Sequence, residues 1–370
     1  MRITNVEALH LRLPQVQEVA DGTQDCLLVQ VHTDAGITGL GEVVSCSYVA
    51  RAVIESPRSA PFRHGLAAIV EGMDADDIDG IRQAMIEGTN WYGPGGVTRH
   101  AMSGIDMALW DIRGKVQGLP VRHLLANTPV DTVPCYASVL WPPRPEEVAT
   151  SAQSFLAQDY RAVKYGWAPM GPDARLDEEL VAAARQALGP DIDLMVDAGR
   201  AWDIDTALER VARFQPYNIF WLEEALHPFD TAGHRQLCAH SAIPIAGGEA
   251  LSLVEEYQAL LEADGLDVVQ PDLGRVGGLT GGRLIADLAA ANQTWPVPHA
   301  FGTGVLLAAS AQWAAASPRP LTEFTRAPSP LAQHLVRHDM VFDAGSLHLS
   351  QAPGLDVELD IAVVDRYRVA

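Results

Sequence analysis

The sequence predicts an α/β protein in which a parallel (β/α) barrel follows an α+β N-terminal domain. From about residue 131 to 329, short apolar runs alternate with helical stretches, which is the pattern of a parallel barrel. In residues 1–130 the strands come first and the helices follow, which indicates an α+β domain. The length of 370 residues also exceeds that of a typical single domain.

The N-terminal domain begins with three predicted strands and continues with helices. The strands are expected at 3–13, 26–33 and 37–44, with a turn at Asp34-Ala35-Gly36. From residue 75 to 126 the period becomes helical, most clearly in HAMSGIDMALWDIRGKVQGLP, where apolar residues recur every three or four positions. Gly118 and Pro120 are expected to end this helix.

Eight strands are predicted for the barrel, with helices between them. They are expected at 133–140, 162–165, 193–196, 219–222, 243–246, 268–270, 295–297 and 321–322. An open doubly wound sheet is the structural alternative, but such a sheet would concentrate polar residues at one switch point, and here they follow strand after strand. After residue 329, the short β-like pieces SLHLS and DVELD are expected to fold back onto the N-terminal domain.

Composition excludes several classes of function. The net charge of −21 argues against nucleic acid and anionic membranes as partners. No apolar stretch is long enough to span a bilayer, and the N-terminus lacks the pattern of a signal peptide. The four cysteines form no CxxC pair, so a thiolate zinc site is disfavoured and reduced thiols in a cytoplasmic protein are predicted.

Three acidic residues follow successive strands at equal spacing. Asp197 in DLMVDAG, Glu223 in IFWLEEA and Glu249 in IPIAGGE are each 26 residues from the next, about the length of one strand, one helix and two loops. Carboxylates that recur once per unit converge at one end of a parallel barrel. Because converging carboxylates repel each other unless a cation lies between them, the spacing predicts a divalent metal site.

Four other strand ends also carry reactive groups: Lys164, Asp272, His299 and Glu323. A single acid in a loop is usually a helix cap or a solvated charge. Seven groups in register with the barrel repeat instead indicate an active site, because barrel enzymes place their chemistry at the C-terminal ends of the strands.

The ordered motifs MSGIDMALWDIRGK, VDAG, WLEEA, IPIAGGE, QPDLGRVGGLTGG and VPHAFGTGV resemble those of the enolase superfamily, mandelate racemase subgroup. The resemblance covers nearly the whole chain. It implies a modified (β/α)7β TIM barrel at 131–329 under a capping domain made of 1–130 and 330–370. It also implies one Mg²⁺ per subunit held by Asp197, Glu223 and Glu249, and an acid/base pair of His299 and Asp272. Homo-oligomers, dimers or octamers, are expected from the family alone.

The implied chemistry is removal of the proton α to a carboxylate, which a hard cation assists by offsetting the charge of the enediolate. His299 suits the role of base because its ordinary pKa lies near working pH, and Asp272 would fix its tautomer. Glu323, which matches the last-strand acid of the family, is expected to donate a hydrogen bond to the enediolate if it is protonated.

The chain departs from the family at the second barrel strand. The subgroup commonly has Lys-x-Lys there, and one lysine is the base on the face opposite the histidine. Here Lys164 matches the first lysine, whereas the second position is Gly166 and Tyr165 is expected to face the helices. With one base left, dehydration of an acid sugar (an aldonate or aldarate) to a 2-keto-3-deoxy acid is favoured over two-base racemisation.

Four residues are predicted to contact substrate: Arg200, Trp167, Tyr48 and Asp21. Arg200 follows Asp197 and could bind a distal hydroxyl or second carboxylate, although a salt bridge to an outer acid is an equal alternative. Trp202 is a further candidate to reach the pocket. Tyr48 and Asp21 lie in the two predicted capping loops, 45–51 and 14–23.

Several other polar residues have simpler interpretations. Glu224 is expected to point away from Glu223 and to bond backbone or a cation. The glycines of GRVGGLTGG predict tight packing at a helix start rather than a phosphate loop. His227, His234 and His240 are predicted to be surface or capping residues.

Two alternatives to the dehydratase remain. The first is a cycloisomerase, epimerase or racemase that uses Lys164 or a capping-domain residue as the second acid. The second is a catalytically silent paralogue that binds a ligand or acts as an assembly subunit.

Overall fold

The computed structural model describes residues 1–369. The N-terminal part forms an antiparallel sheet in the order β1-β2-β3, packed against helices. Its elements are β1 (Ile3–Arg12), β2 (Asp25–Thr33), β3 (Thr38–Val43), α1 (Ser47–Glu55), α2 (Leu66–Val70), α3 (Ile78–Gly88), α4 (Val97–Gln117) and α5 (Arg122–Leu125). The three predicted strands are confirmed to within a residue or two.

The long helix α4 ends where the sequence predicts. Gly118 adopts a left-handed conformation with φ 66°, and its N–H bonds to the carbonyls of Gly114 and Lys115. The helix is buried along most of its length, and β3 is one of the elements that pack on it closely. A Cβ on Gly41 would lie 2.1 Å from the carbonyl oxygen of Gly104, so only glycine permits this approach.

Within the described residues the second part is a (β/α)7β barrel, which confirms the predicted fold class. Its strands are β4 (Thr132–Leu140), β5 (Ala162–Gly166), β6 (Asp193–Asp197), β7 (Ile219–Glu223), β8 (Ile245–Gly247), β9 (Val268–Val269), β10 (Trp295–Pro296) and β11 (Thr322–Thr325). The intervening helices are α6 (Pro145–Leu156), α7 (Ala174–Leu188), α8 (Ile204–Phe214), α9 (Thr231–His240), α10 (Val254–Leu261), α11 (Gly278–Ala291) and α12 (Gly304–Ala314).

The pairing of the strands distinguishes a barrel from an open sheet. Parallel ladders run in chain order from β4 to β10, and β11 pairs with β4 in parallel through Thr322–Thr325 and Cys135–Ser138. The last strand therefore lies beside the first, as a barrel requires. The interior is filled by inward-facing apolar residues, among them Tyr136, Met195 and Trp221.

The tail returns to both parts of the molecule. It comprises α13 (Pro330–His334), β12 (Val336–Arg337), β13 (Val341–Asp343), β14 (Ser346–His348), β15 (Glu358–Leu359) and α14 (Ile361–Tyr367). Val369 donates to the carbonyl of His10 in β1, but the SLHLS piece differs from expectation, since β14 pairs with β4 of the barrel. The boundaries at residues 130 and 329 stay a prediction.

Polar residues of α4 join the N-terminal part to the barrel. Ser103 Oγ accepts from Gly277 N at 2.8 Å, and Asp106 Oδ1 accepts from Thr280 N at 3.0 Å. Trp110 Nε1 donates to Thr280 Oγ1 at 2.9 Å. The bonds from Gly277 N and Thr280 N satisfy backbone N–H groups at the start of α11, the helix that follows Asp272. Ser103, Asp106 and Trp110 of the MSGIDMALW motif therefore hold the glycine-rich segment close to α4.

Asp106 gives a pH-dependent contribution to stability. Burial raises its pKa to about 6, although hydrogen bonds from Thr280 and the cations Arg82 and Arg283 oppose the rise. The side-chain oxygen Oδ2 is buried without a partner, which fits a protonated carboxyl. A raised pKa means that the folded state binds this proton more tightly, so the contribution is complete below the ordinary pKa near 4 and is lost as the pH rises through 6.

We therefore expect the unfolding free energy of the wild type, relative to Asp106→Asn, to fall by up to about 3 kcal/mol from pH 4 to pH 7. Asparagine keeps the acceptor for Thr280 N and removes the titration. Denaturant unfolding of both proteins at each pH measures the difference. A difference that is flat or rises with pH would contradict the assignment.

Candidate active site

A cavity of about 450 Å³ lies at the C-terminal ends of the barrel strands. Its wall includes Val19–Gly22 of the first predicted capping loop as well as strand-end residues of the barrel. Of the residues predicted from the sequence, eight line it: Asp21, Lys164, Trp167, Asp197, Arg200, Glu249, His299 and Glu323. Glu223 and Asp272 lie behind the cavity wall and are fully buried. Glu223 contacts Lys164, and Asp272 contacts His299.

Asp197, Glu223 and Glu249 converge as the equal spacing predicts. One carboxylate oxygen from each lies within 4.8 Å of the others. Glu223 is held in place by Trp221 Nε1 at 2.9 Å and Gln270 Nε2 at 2.7 Å, and Gly199 N donates to Asp197 Oδ1 at 2.8 Å.

The electrostatics of this trio favour a cation. Burial, together with the charges of Glu223 and Glu249, raises the pKa of Asp197 well above its ordinary value. The protein thus holds together oxygen atoms that repel each other. An all-oxygen donor set of this kind suits a hard divalent cation such as Mg²⁺.

Lys164 lies inside the barrel between two carboxylates. Its Nζ contacts Glu223 and is 2.9 Å from Glu323 Oε1. Burial lowers the pKa of the ammonium group, but these two carboxylates outweigh it and hold the pKa well above its ordinary value. Lys164 is therefore a fixed cation at the edge of the metal trio.

Glu323 differs from the role expected for it. Burial raises the pKa of its carboxyl, but Lys164, His299 and the N–H of Ala300 outweigh burial and lower the pKa to about 2. Ala300 N donates to Oε2 at 2.6 Å. An ionised Glu323 accepts hydrogen bonds and does not donate one, so its environment does not support the predicted donation to an enediolate.

His299 and Asp272 form the expected pair. His299 Nδ1 and Asp272 Oδ2 are 2.7 Å apart, and Gly274 N donates to Asp272 Oδ1 at 2.7 Å. Nδ1 must carry the proton in this bond, because an ionised carboxylate only accepts. His299 lines the cavity, and its second nitrogen, Nε2, lies 3.2 Å from Glu249 Oε2. Burial alone lowers the pKa of His299, but Glu249, Glu323 and Asp272 raise it to about 10.

Gly166 lines the cavity at the position where the family's second lysine was expected. A Cβ at this glycine would lie 2.8 Å from Asp197 Oδ2. Any side chain would therefore displace a carboxylate of the metal trio. Tyr165 points the other way, as predicted, with its hydroxyl 3.2 Å from Ser151 of α6.

Arg200 and Trp167 lie together on the cavity wall. The Arg200 guanidinium carbon is 5.2 Å from the centre of the Trp167 ring, an arrangement that favours a cation–π contact. Arg200 Nε is 3.7 Å from Glu224 Oε2, and Glu224 accepts from Gly248 N at 3.1 Å. The prediction that Glu224 bonds backbone and a cation is confirmed.

Tyr48 is the substrate-binding candidate that the structure does not bring to the cavity. The segment expected to be a loop is the first turn of α1, so the helix sets the direction of its side chains. Tyr48 is 53% exposed and packs edge-on against His10, with ring centres 4.5 Å apart. Tyr48 is therefore not among the residues that line the cavity, and its contact with substrate stays a prediction.

Two lesser expectations also fail. Trp202 is buried and donates to the carbonyl of Gly171 rather than lining the cavity. His234 is buried in α9 and is not a surface residue.

Sequence reasoning missed several residues that act at the site. Trp221 stands two positions before Glu223 on the same face of β7, so period-2 alternation could have identified it, whereas Gln270 lies just past the end of β9. Arg275 and Phe301 line the cavity from the loops after β9 and β10. Glu42 of β3, which binds the loop after His299, carries no such signal.

The chain belongs to the mandelate racemase / muconate lactonizing enzyme family of the enolase superfamily. The family description "Mandelate racemase / muconate lactonizing enzyme, N-terminal domain" matches residues 4–126, and "Enolase C-terminal domain-like" matches residues 147–363. The family membership confirms the resemblance found in the sequence motifs.

Its relatives include cycloisomerases and dehydratases of acid sugars. The chain is 29% identical to the D-galactarolactone cycloisomerase of Agrobacterium fabrum, over 93% of this chain and 91% of that protein. It is 31% identical to the putative L-rhamnonate dehydratase of Caldivirga maquilingensis, over 90% of this chain and 81% of that protein.

Solved structures of a cycloisomerase and a racemase have the same fold as this chain. The 3,6-anhydro-D-galactonate cycloisomerase of Zobellia galactanivorans superposes with a TM-score of 0.91, at 28% identity and full coverage of both chains. A racemase of Streptomyces coelicolor A3(2), solved with bound magnesium, has a TM-score of 0.87 at 28% identity, covering 99% of this chain and 100% of that one. In residues 1–369 we find no helix that has both the length and the apolar character needed to cross a membrane.

Proposed function

We propose that the protein is a Mg²⁺-dependent acid-sugar dehydratase that converts an aldonate or aldarate to a 2-keto-3-deoxy acid. The observation that carries the proposal is the His299–Asp272 pair beside the carboxylate trio, with Gly166 in place of the second lysine. A single base of this kind suits elimination better than two-base proton transfer.

Asp197, Glu223 and Glu249 would hold one Mg²⁺. When bound, the ion acts as a Lewis acid that offsets the charge developing on the substrate carboxylate. Trp221 and Gln270 keep Glu223 oriented for this role.

His299 would move the protons. Glu249 is the largest contributor to the raised pKa of His299, and a bound cation would offset its charge and favour the neutral ring. In that neutral form Nε2 would take the proton from Cα, while Asp272 accepts from Nδ1–H and stabilises the resulting imidazolium. The same Nε2–H then protonates the departing β-hydroxyl, so that the Cβ–O bond breaks and water leaves. The enol product becomes the 2-keto acid after tautomerisation. No oxidant or further reactant is needed.

Lys164 would bind the substrate carboxylate as a fixed cation. Its ion pairs with Glu223 and Glu323 keep it protonated, which supports an electrostatic role and argues against service as a base. Glu323 would hold Lys164 and the backbone of Ala300, the residue that follows the base.

Arg200, Trp167 and Asp21 would contact the distal part of the sugar acid. Arg200 is 37% exposed on its side chain and its link to Glu224 is long, so the guanidinium keeps donors for a hydroxyl or a second carboxylate. Asp21 uses Oδ1 to bind Thr23, which fixes the loop that covers the cavity.

Cycloisomerisation of a sugar lactone or anhydro acid is the second candidate. The similarity to two cycloisomerases, each over more than nine-tenths of both chains, favours it. It would begin with the same proton abstraction by His299, and a ring oxygen would leave in place of a hydroxyl.

A screen of aldonic, aldaric and lactone substrates with Mg²⁺ tests both candidates. We expect 2-keto acid to appear from at least one open-chain acid. Ring opening of a lactone without turnover of open-chain acids would favour the cycloisomerase, and deuterium entering Cα from D₂O without keto acid would favour an epimerase. No turnover of any compound at high enzyme loading would contradict the proposal. We further propose a homo-oligomer, a dimer or octamer, located in the cytoplasm.

A further inference from the structure

Glu42 is a buried acid of the N-terminal sheet that the proposed chemistry does not use. It stands near the end of β3 and is 2% exposed. Its carboxylate reaches across to the barrel and binds the start of α12. Oε1 accepts from Thr303 N at 3.0 Å, and Oε2 accepts from Thr303 Oγ1 at 2.6 Å and from Leu306 N at 2.9 Å.

These bonds fix the far end of the loop that carries His299. The loop runs from His299 to Thr303, and its near end is fixed by the bond from Ala300 N to Glu323. In the middle, a Cβ on Gly302 would lie 2.8 Å from Glu42 Oε1, so the loop packs directly on this carboxylate. A carboxylate at a helix N-terminus satisfies N–H groups that have no partner inside the helix.

The same strand end also contacts the loop of Asp272. Val44, two residues after Glu42, donates from its backbone N to the carbonyl of Gly274 at 3.1 Å. Gly274 N in turn donates to Asp272 Oδ1 at 2.7 Å. Glu42 near the end of β3 and Val44 just past that strand thus bind the two loops that carry the two members of the acid/base pair.

We propose that Glu42 is a positioning residue that sets the location of His299 relative to Asp272. It touches neither the cavity nor the metal trio among the residues described, so its effect on the reaction would pass through Thr303 and the loop. The kinetic part of this inference rests on the proposed function. Because Glu42 belongs to β3 of the N-terminal part, the capping domain would help to position the acid/base pair as well as cover the substrate.

The test uses matched variants on both sides of the contact. Thr303→Val removes the hydroxyl that donates to Glu42 Oε2 and accepts from Val305 N, whereas Thr303→Ser keeps both hydrogen bonds. Glu42→Gln keeps the shape but places an amide NH₂ against N–H donors. Asp111→Asn is the control, since Asp111 is another buried acid of the N-terminal part that accepts backbone N–H groups, of Leu40 and Leu355, away from the cavity.

We expect kcat to fall about tenfold in Thr303→Val and about tenfold to a hundredfold in Glu42→Gln, with KM changed less than about threefold, because small displacements of a catalytic group reduce turnover more than binding. Thr303→Ser and Asp111→Asn should keep kcat within about twofold. Full kcat in folded Thr303→Val and Glu42→Gln, or an equal loss in Asp111→Asn, would overturn the proposal.

A second measurement does not depend on the substrate. The ¹⁵N signals of the His299 ring, assigned by their loss in His299→Asn, report the bond from Nδ1 to Asp272 in the Mg²⁺-loaded protein. We expect them to shift in Thr303→Val and Glu42→Gln and to stay in place in Thr303→Ser and Asp111→Asn. Unshifted signals would refute the positioning role even if no substrate is found, whereas shifted signals without turnover would count against the proposed function alone.

Discussion

The His299→Asn variant is expected to lose all but about one part in ten thousand of the wild-type turnover. General acid–base catalysis contributes roughly 10²- to 10⁴-fold, and here one imidazole would both remove the α-proton and return it to the leaving group. Asparagine can still donate to Asp272, so the loss would report the missing base and not a collapse of the pair. The rate of 2-keto acid formation measures it.

The control for this variant is His227→Asn, which changes an exposed histidine on the loop after β7. It should keep full turnover. His299→Asn should still bind Mg²⁺, since the three proposed ligands remain, and thermal unfolding with and without the ion checks this. A variant that keeps a tenth or more of the turnover would remove His299 from the role of base. A binding or assembly function that survives the change would favour the silent paralogue.

The parts of the site that could be predicted from the sequence are those that repeat with the barrel. Asp197, Glu223 and Glu249 recur once per strand-helix unit, so their convergence follows from the parallel arrangement itself. Glu224 meets Gly248 and Arg200 as the sequence predicts, but it lies just past β7 with a left-handed φ of 47°, so its direction is set by the turn and not by strand alternation.

The parts that could not be predicted depend on contacts between distant segments. Glu42 and Thr303 are 261 residues apart, and nothing in the local pattern of β3 shows that its acid binds a barrel loop. The position of Tyr48 has a related cause: the polar segment 45–51 predicts a loop, but in the folded protein it enters the first turn of α1. The charge state of Glu323 also depends on Lys164, which belongs to another strand.

The Asp197→Asn variant is expected to make the metal-free protein more stable while it removes the response to Mg²⁺. Three carboxylates, of which Asp197 and Glu223 are buried and Glu249 is partly buried, meet within 4.8 Å, and their repulsion destabilises the folded protein when no cation offsets it. Asparagine removes one charge and keeps the Oδ1 acceptor for Gly199 N. We expect a gain in unfolding free energy on the order of 1–2 kcal/mol in the presence of EDTA.

The stabilisation that Mg²⁺ gives to the wild type should be lost in the same variant. An ion that binds only the folded state at about a hundred times its dissociation constant stabilises it by about 2.7 kcal/mol, so the wild type should unfold at a higher temperature with Mg²⁺ than with EDTA. In Asp197→Asn this increase should largely disappear, together with turnover. Asp205→Asn, which removes one exposed acid of α8, is the matched control for net charge and should behave as the wild type does.

A metal site is distinguished from ordinary structural acids by the sign of the stability change that Asp197→Asn causes. For a metal site this change is a gain in EDTA and a loss in Mg²⁺. Loss of a structural carboxylate would lower stability with EDTA and with Mg²⁺ alike, because its hydrogen bonds would be lost in both. If Asp197→Asn is less stable than the wild type in EDTA, or if Mg²⁺ still raises its unfolding temperature by the full amount, the trio is not the metal site. If instead the two effects have opposite signs, the stability that the metal-free wild type lacks reflects the metal-binding function for which these three carboxylates are held together.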